Sequence, residues 1–83
     1  MYTIIIEPSA EKFITKLDKQ EQIRLLRKID GLKVKPYLGK MLTGQLAGIR
    51  SLRIGDYRVL YSVKEDKLII FVLNAGNRKN IYD

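Results

Sequence analysis

The sequence predicts an α+β domain built from an N-terminal strand, a helical hairpin and a three-stranded antiparallel meander. Together these form a four-stranded sheet with the helices on one face. Three observations predict it. Tyr2 to Ile6 is a short β-branched run closed by Pro8. Ala10, Phe13, Ile14 and Leu17 recur at the i, i+3, i+4, i+7 spacing of one helix face. Gly55-Asp56 parts two strand-like segments as a two-residue hairpin loop does.

Each element has its own local signal. Pro8 or Ser9 suits the start of the first helix. Asp18-Lys19-Gln20-Glu21 reads as a capping box, in which Asp18 accepts from the next helix's first turn and Glu21 reaches back. That second helix presents Leu25, Leu26, Ile29 and Leu32 on one face, and Gly31 is a candidate terminator. Lys12, Lys16, Arg24, Arg27 and Lys28 fall on the outer face of the hairpin and read as solvated charge. Residues 33–48, punctuated by Pro36, Gly39, Gly44 and Gly48, read as irregular. Strands follow at 49–54, 57–64 and 68–74, with Lys64-Glu65-Asp66-Lys67 as the second turn. Leu68 to Leu73 is apolar on both faces, which suits an interior strand. The helices can cover one side of it, and loops or another protein must cover the other.

The chain has 83 residues, enough for one domain spanning 1–83. With 46% hydrophobic residues it can build a core. Cysteine and histidine are both absent. That removes disulfides, thiolate zinc sites and thiol nucleophiles, together with the commonest general base and the commonest metal ligand. No apolar run approaches the ~20 residues that cross a bilayer, and Met1 to Glu7 lacks the features of a signal peptide. A cytoplasmic protein without a membrane partner is expected. Sixteen Lys and Arg against nine Asp and Glu give a formal charge of +7. Such an excess points to a polyanion, nucleic acid first, against the plainer alternative of a basic soluble domain. Lys33, Lys35 and Lys40 gather with Tyr37 in the irregular stretch, a composition that suits either a phosphate grip or simple solubility.

The hairpin carries the sharpest inference. With Gly55 and Asp56 as its loop, Arg53 stands directly opposite Arg58, on the face away from Leu52, Ile54, Tyr57 and Val59. Like charges opposed on one face cost about 0.2–1 kcal/mol unless something negative lies between them. Nearby Asp56 or Glu65 is the internal alternative. Arg78 follows Gly76 by two residues, and Tyr82 lies one helical turn further on. Arginines and a tyrosine, without histidine or a carboxylate cluster, do not suit metal-dependent hydrolysis. They suit RNA cleavage in which the 2′-hydroxyl attacks its own neighbouring phosphate. The protein then has only to orient the groups, move protons and stabilise added charge. No cofactor is expected.

Leu42-Thr43-Gly44, the stretch Ile49 to Tyr61 and the stretch Gly76 to Tyr82 resemble the RelE/ParE superfamily of toxins from prokaryotic toxin–antitoxin systems. Pro8-Ser9-Ala10-Glu11-Lys12, entering the helical hairpin, is similar too. The resemblance covers essentially the whole chain, and its most specific part is the R-x-G-x-Y-R-V-x-Y core from Arg53 to Tyr61. It implies a ribosome-dependent endoribonuclease that cuts mRNA in the decoding site and is held inactive by a RelB-like antitoxin in a hetero-oligomer. It assigns Arg53 and Arg58 to charge stabilisation, Arg78 to phosphate binding and acid catalysis, and Tyr82 to the base or its positioning. Lys33, Lys35, Lys40, Arg50, Ser51 and Lys79 are the expected flanking RNA contacts. Two departures stand out. Ser51 occupies the place, two residues before Arg53, where RelE carries another basic group. Asn77 precedes Arg78 where several relatives place a histidine. The ParE branch shares the fold and implies a non-catalytic inhibitor of DNA gyrase instead. The joint retention of Arg53, Arg58, Arg78 and Tyr82 favours the nuclease.

Overall fold

The computed structural model describes residues 1–79. Strand β1 (Thr3–Ile6) leads into helix α1 (Pro8–Thr15), and α2 (Lys19–Asp30) runs on through a 3₁₀ turn at Gly31–Lys33. A two-residue strand β2 (Lys40–Met41) and a 3₁₀ turn at Gly44–Leu46 precede β3 (Arg50–Ile54), β4 (Tyr57–Lys64) and β5 (Ile69–Asn77). The sheet order is β1-β5-β4-β3-β2. β5 pairs with β1 in parallel, and the other neighbours are antiparallel.

The α+β class holds, with five strands in place of four. The extra one is β2, inside the stretch read as irregular. It is too short to show alternation, and its pairing partner lies in β3. α1 begins with Pro8 in the first turn, where a missing amide donor costs nothing. Asp18 caps α2 by accepting the Glu21 amide at 3.0 Å. The Glu21 carboxylate faces Arg24 at 3.7 Å. Gly31 closes α2 in a right-handed conformation, φ −61° and ψ −20°, and so passes the chain on as a 3₁₀ turn rather than reversing it. Leu68 has φ 54° and belongs to the turn, so β5 starts one residue later than expected. It ends at Asn77 because Tyr57, Arg58 and Val59 supply partners for Asn77, Gly76 and Ala75.

One face of the sheet holds the core. Leu52, Ile54, Val59, Tyr61, Ile70, Val72 and Ala75 pack against Ala10, Ile14, Leu25, Ile29 and Leu32 from the helical segment. Leu26, expected with them, lies at the margin of the core, 42% exposed, where it lines a surface groove with Ile4, Ile6 and Ile29. The opposite face is partly apolar. Ile5 and Phe71 lie side by side across β1 and β5, Ile5 exposed and Phe71 half-buried.

Candidate functional site

The hairpin register is the one its loop predicts. Ile54 pairs with Tyr57, Arg53 with Arg58 and Leu52 with Val59. The irregularity in the sheet lies between Leu60 and Tyr61, where β4 meets β5, and leaves this pairing intact. Alternation therefore sends Arg53 and Arg58 away from the core, with Ser51 on the same side. Arg53 is exposed and Arg58 half-buried. The Arg58 Nη1 donates to Ser51 Oγ at 3.1 Å.

β5 brings the third arginine to the same end. Gly76 lies opposite Arg58 and puts no side chain over it. Two residues on, the Arg78 amide donates to the Asp56 carbonyl at 2.8 Å, which ties the exit from β5 to the hairpin turn. Two clefts result. One, of about 450 Å³, is lined by Lys40, Met41, Leu42, Thr43, Ser51 and Arg58. The other, of about 380 Å³, is lined by Asp56, Asn77, Arg78 and Lys79.

The remaining expected RNA contacts divide. Lys40 and Ser51 face the first cleft and Lys79 the second. Lys33 belongs elsewhere. Its carbonyl accepts from the Tyr2 amide at 3.3 Å, at the end of the sheet where β5 begins. Its ammonium pairs with Asp30 at 2.8 Å. The nine residues of β5 separate that end from Arg78, or roughly 27 Å at the usual rise per residue. Lys35 sits just beyond the same turn, exposed, its amide bonded to Gly31. Local composition grouped these lysines with Lys40, and the path of the chain beneath the sheet separates them.

Arg50 is also redirected. It pairs with Tyr61 in the register, on the side opposite Arg53. Its guanidinium donates to the Gly39 carbonyl at 2.8 Å and the Tyr37 carbonyl at 3.4 Å, and stands 4.8 Å over the Tyr37 ring. Tyr61 completes this clamp, accepting the Gly39 amide and donating to the Pro36 carbonyl, both at 2.8 Å. Gly39 is required because a Cβ there would lie 2.8 Å from the Tyr61 ring and 3.0 Å from the Ser51 carbonyl. The clamp delivers Lys40 to β2.

Tyr82 lies outside the described residues. Burial pushes the Tyr61 phenol up, against opposing pulls from the Gly39 amide and Arg50. Tyr57 is raised, first by burial and then by Glu21. Hydrogen bonding to Glu65, then to Tyr2, raises Tyr37 well above the ordinary phenol range. None of these three is poised as a phenolate base at neutral pH.

One cation escaped the sequence reading. Arg24 of α2 lies against Gly55, so the guanidinium caps the hairpin turn from the helix side. Nothing local distinguishes it from the solvated arginines beside it.

A family model described as the ParE toxin of type II toxin–antitoxin system, parDE, matches residues 4–82. The chain is 38% identical over 45 residues to Toxin RelG of Mycobacterium tuberculosis (strain ATCC 25618 / H37Rv), a stretch covering 54% of this chain and 52% of that protein. The match thus spans about half the length of that relative. In three dimensions the chain is similar to the M. tuberculosis toxin–antitoxin complex RelBE2, with TM-score 0.85 and 29% identity over 93% of this chain and 98% of that one. The archaeal RelE–RelB complex from Pyrococcus horikoshii OT3 gives TM-score 0.77 and 29% identity, covering 95% and 97%. The isolated E. coli RelE toxin gives TM-score 0.79 and 22% identity, covering 99% and 92%, a likeness of fold alone.

Proposed function

The chain belongs to the ParE toxin family of type II toxin–antitoxin systems, within the RelE/ParE superfamily, and from that premise we propose that it acts in the cytoplasm as a ribosome-dependent, metal-independent mRNA endoribonuclease. The observation that carries the reading is the opposition of Arg53 and Arg58 on one sheet face, with Arg78 tied to the same end through Asp56. In this reaction the 2′-hydroxyl attacks the adjacent phosphorus. The O2′–P bond forms, the P–O5′ bond breaks, and the products are a 2′,3′-cyclic phosphate and a 5′-hydroxyl. Charge grows on the non-bridging oxygens, where guanidinium donors stabilise it best. Arg53 and Arg58 take that role. Arg78 holds the phosphate and protonates the leaving oxygen, and Tyr82 receives or positions the proton of the attacking hydroxyl. Each donor contributes roughly 10²–10³ in rate.

A RelB-like antitoxin is the partner, by analogy with the complexes the chain resembles. The Ile5–Phe71 face offers it apolar surface, and an acidic segment laid on the arginines would quench them.

The test adds purified protein, free of antitoxin, to translating ribosomes carrying a defined mRNA. Cleavage within the occupied codon, abolished in Arg78→Ala, is the expected result. Inhibition of DNA gyrase without catalysis is the second reading, favoured by the ParE description of the matching family model and by Ser51 and Asn77 at places where RelE-like toxins carry basic groups or histidine. Growth arrest with intact mRNA and trapped gyrase–DNA complexes would establish it instead.

A further inference from the structure

We propose that Lys40 is a catalytic cation of the cleavage site, supplying from β2 the positive charge that Ser51 lacks in β3; this rests on the nuclease reading above. The register places Lys40 directly opposite Ser51. Opposed residues in antiparallel strands point to the same face, their Cβ atoms about 4.5–5.5 Å apart. Ser51 in turn shares its face with Arg53, two residues along, and accepts a hydrogen bond from Arg58 at 3.1 Å. Lys40, Ser51 and Arg58 accordingly line one cleft. A cation at either of two facing positions reaches the same volume, so an ammonium from the neighbouring strand can do the work of one at position 51.

Two further observations support the assignment. Among the described residues no carboxylate lies within ion-pair distance of Lys40, whereas Lys33 is paired with Asp30. The backbone carrying Lys40 is also fixed on both sides, by the Tyr61 and Arg50 bonds to Gly39 and by the Leu42 amide to the Ile49 carbonyl at 2.9 Å.

The experiment compares single-turnover cleavage by the wild type, Lys40→Ala, Lys40→Ala/Ser51→Lys and Lys33→Ala. Lys40→Ala is expected to lower kcat about 10²-fold with unchanged melting temperature. Ser51→Lys in the Lys40→Ala background is expected to recover most of that loss, and Lys33→Ala to cleave as the wild type does. An inactive wild type sinks the nuclease reading and this inference with it. An active wild type with undiminished Lys40→Ala overturns this inference alone. A loss confined to KM makes Lys40 a peripheral RNA contact, and a kcat loss that Ser51→Lys leaves unrepaired shows that position 51 is not its equivalent; either result also overturns it.

Discussion

The buried phenol of Tyr61 accepts the amide proton of Gly39, 22 residues earlier in the chain, at 2.8 Å. Its own proton goes to the Pro36 carbonyl at the same distance. One hydroxyl therefore satisfies a donor and an acceptor of a connection that has little regular structure. Tyr61→Phe leaves both unpaired and is expected to cost about 1–3 kcal/mol, read as a lower urea midpoint at unchanged slope. Because Gly39 leads directly into β2, the same variant should cleave more slowly.

Alkaline pH should act through the same residue. Burial raises the Tyr61 phenol above its unfolded value, and Tyr37 and Tyr57 are raised as well. A raised phenol favours the protonated folded state, so its contribution is complete below the unfolded value near 10 and is lost as pH climbs through the folded one. Wild-type stability should fall above that point. Tyr61→Phe should show a shallower decline, measured by urea titration at a series of alkaline pH values.

Arg53→Thr should separate activity from stability. Removing one of two opposed guanidiniums relieves about 0.2–1 kcal/mol of cross-strand repulsion, and threonine suits a strand. Thermal stability should hold or rise while cleavage falls roughly 10²-fold. Destabilisation of this variant would mean that Arg53 is a structural pair member.

The fold was legible wherever the signal was local. Gly55-Asp56 determined the Arg53–Arg58 register, Asp18 marked the start of α2, and the apolar run before Leu73 marked an interior strand. What escaped depends on contacts distant in sequence. β2 exists because Tyr61 and Arg50 hold Gly39 beside Ser51. Arg50 sits among residues that resemble a catalytic motif, yet its guanidinium closes a loop. Lys33 and Lys40 share a basic stretch, and β5 keeps their ends of the sheet apart.

Asp18→Ala should test the helical hairpin on its own. Loss of the side-chain bond to the Glu21 amide is expected to cost about 1 kcal/mol, with no change in kcat once the fraction folded is corrected. A specific loss of activity would tie α2, and with it Arg24 at the hairpin turn, to the reaction.

β5 is inserted between β1 and β4, so the earliest strand has no lateral neighbour until almost the last described residues are in place. That same late strand carries Arg78 to Asp56. Pairing β1 and tying Arg78 to the hairpin turn therefore both wait on β5, a long-range pairing of the kind that slows folding. A chain without β5 therefore has neither a partner for β1 nor the bond that ties Arg78 to the hairpin turn.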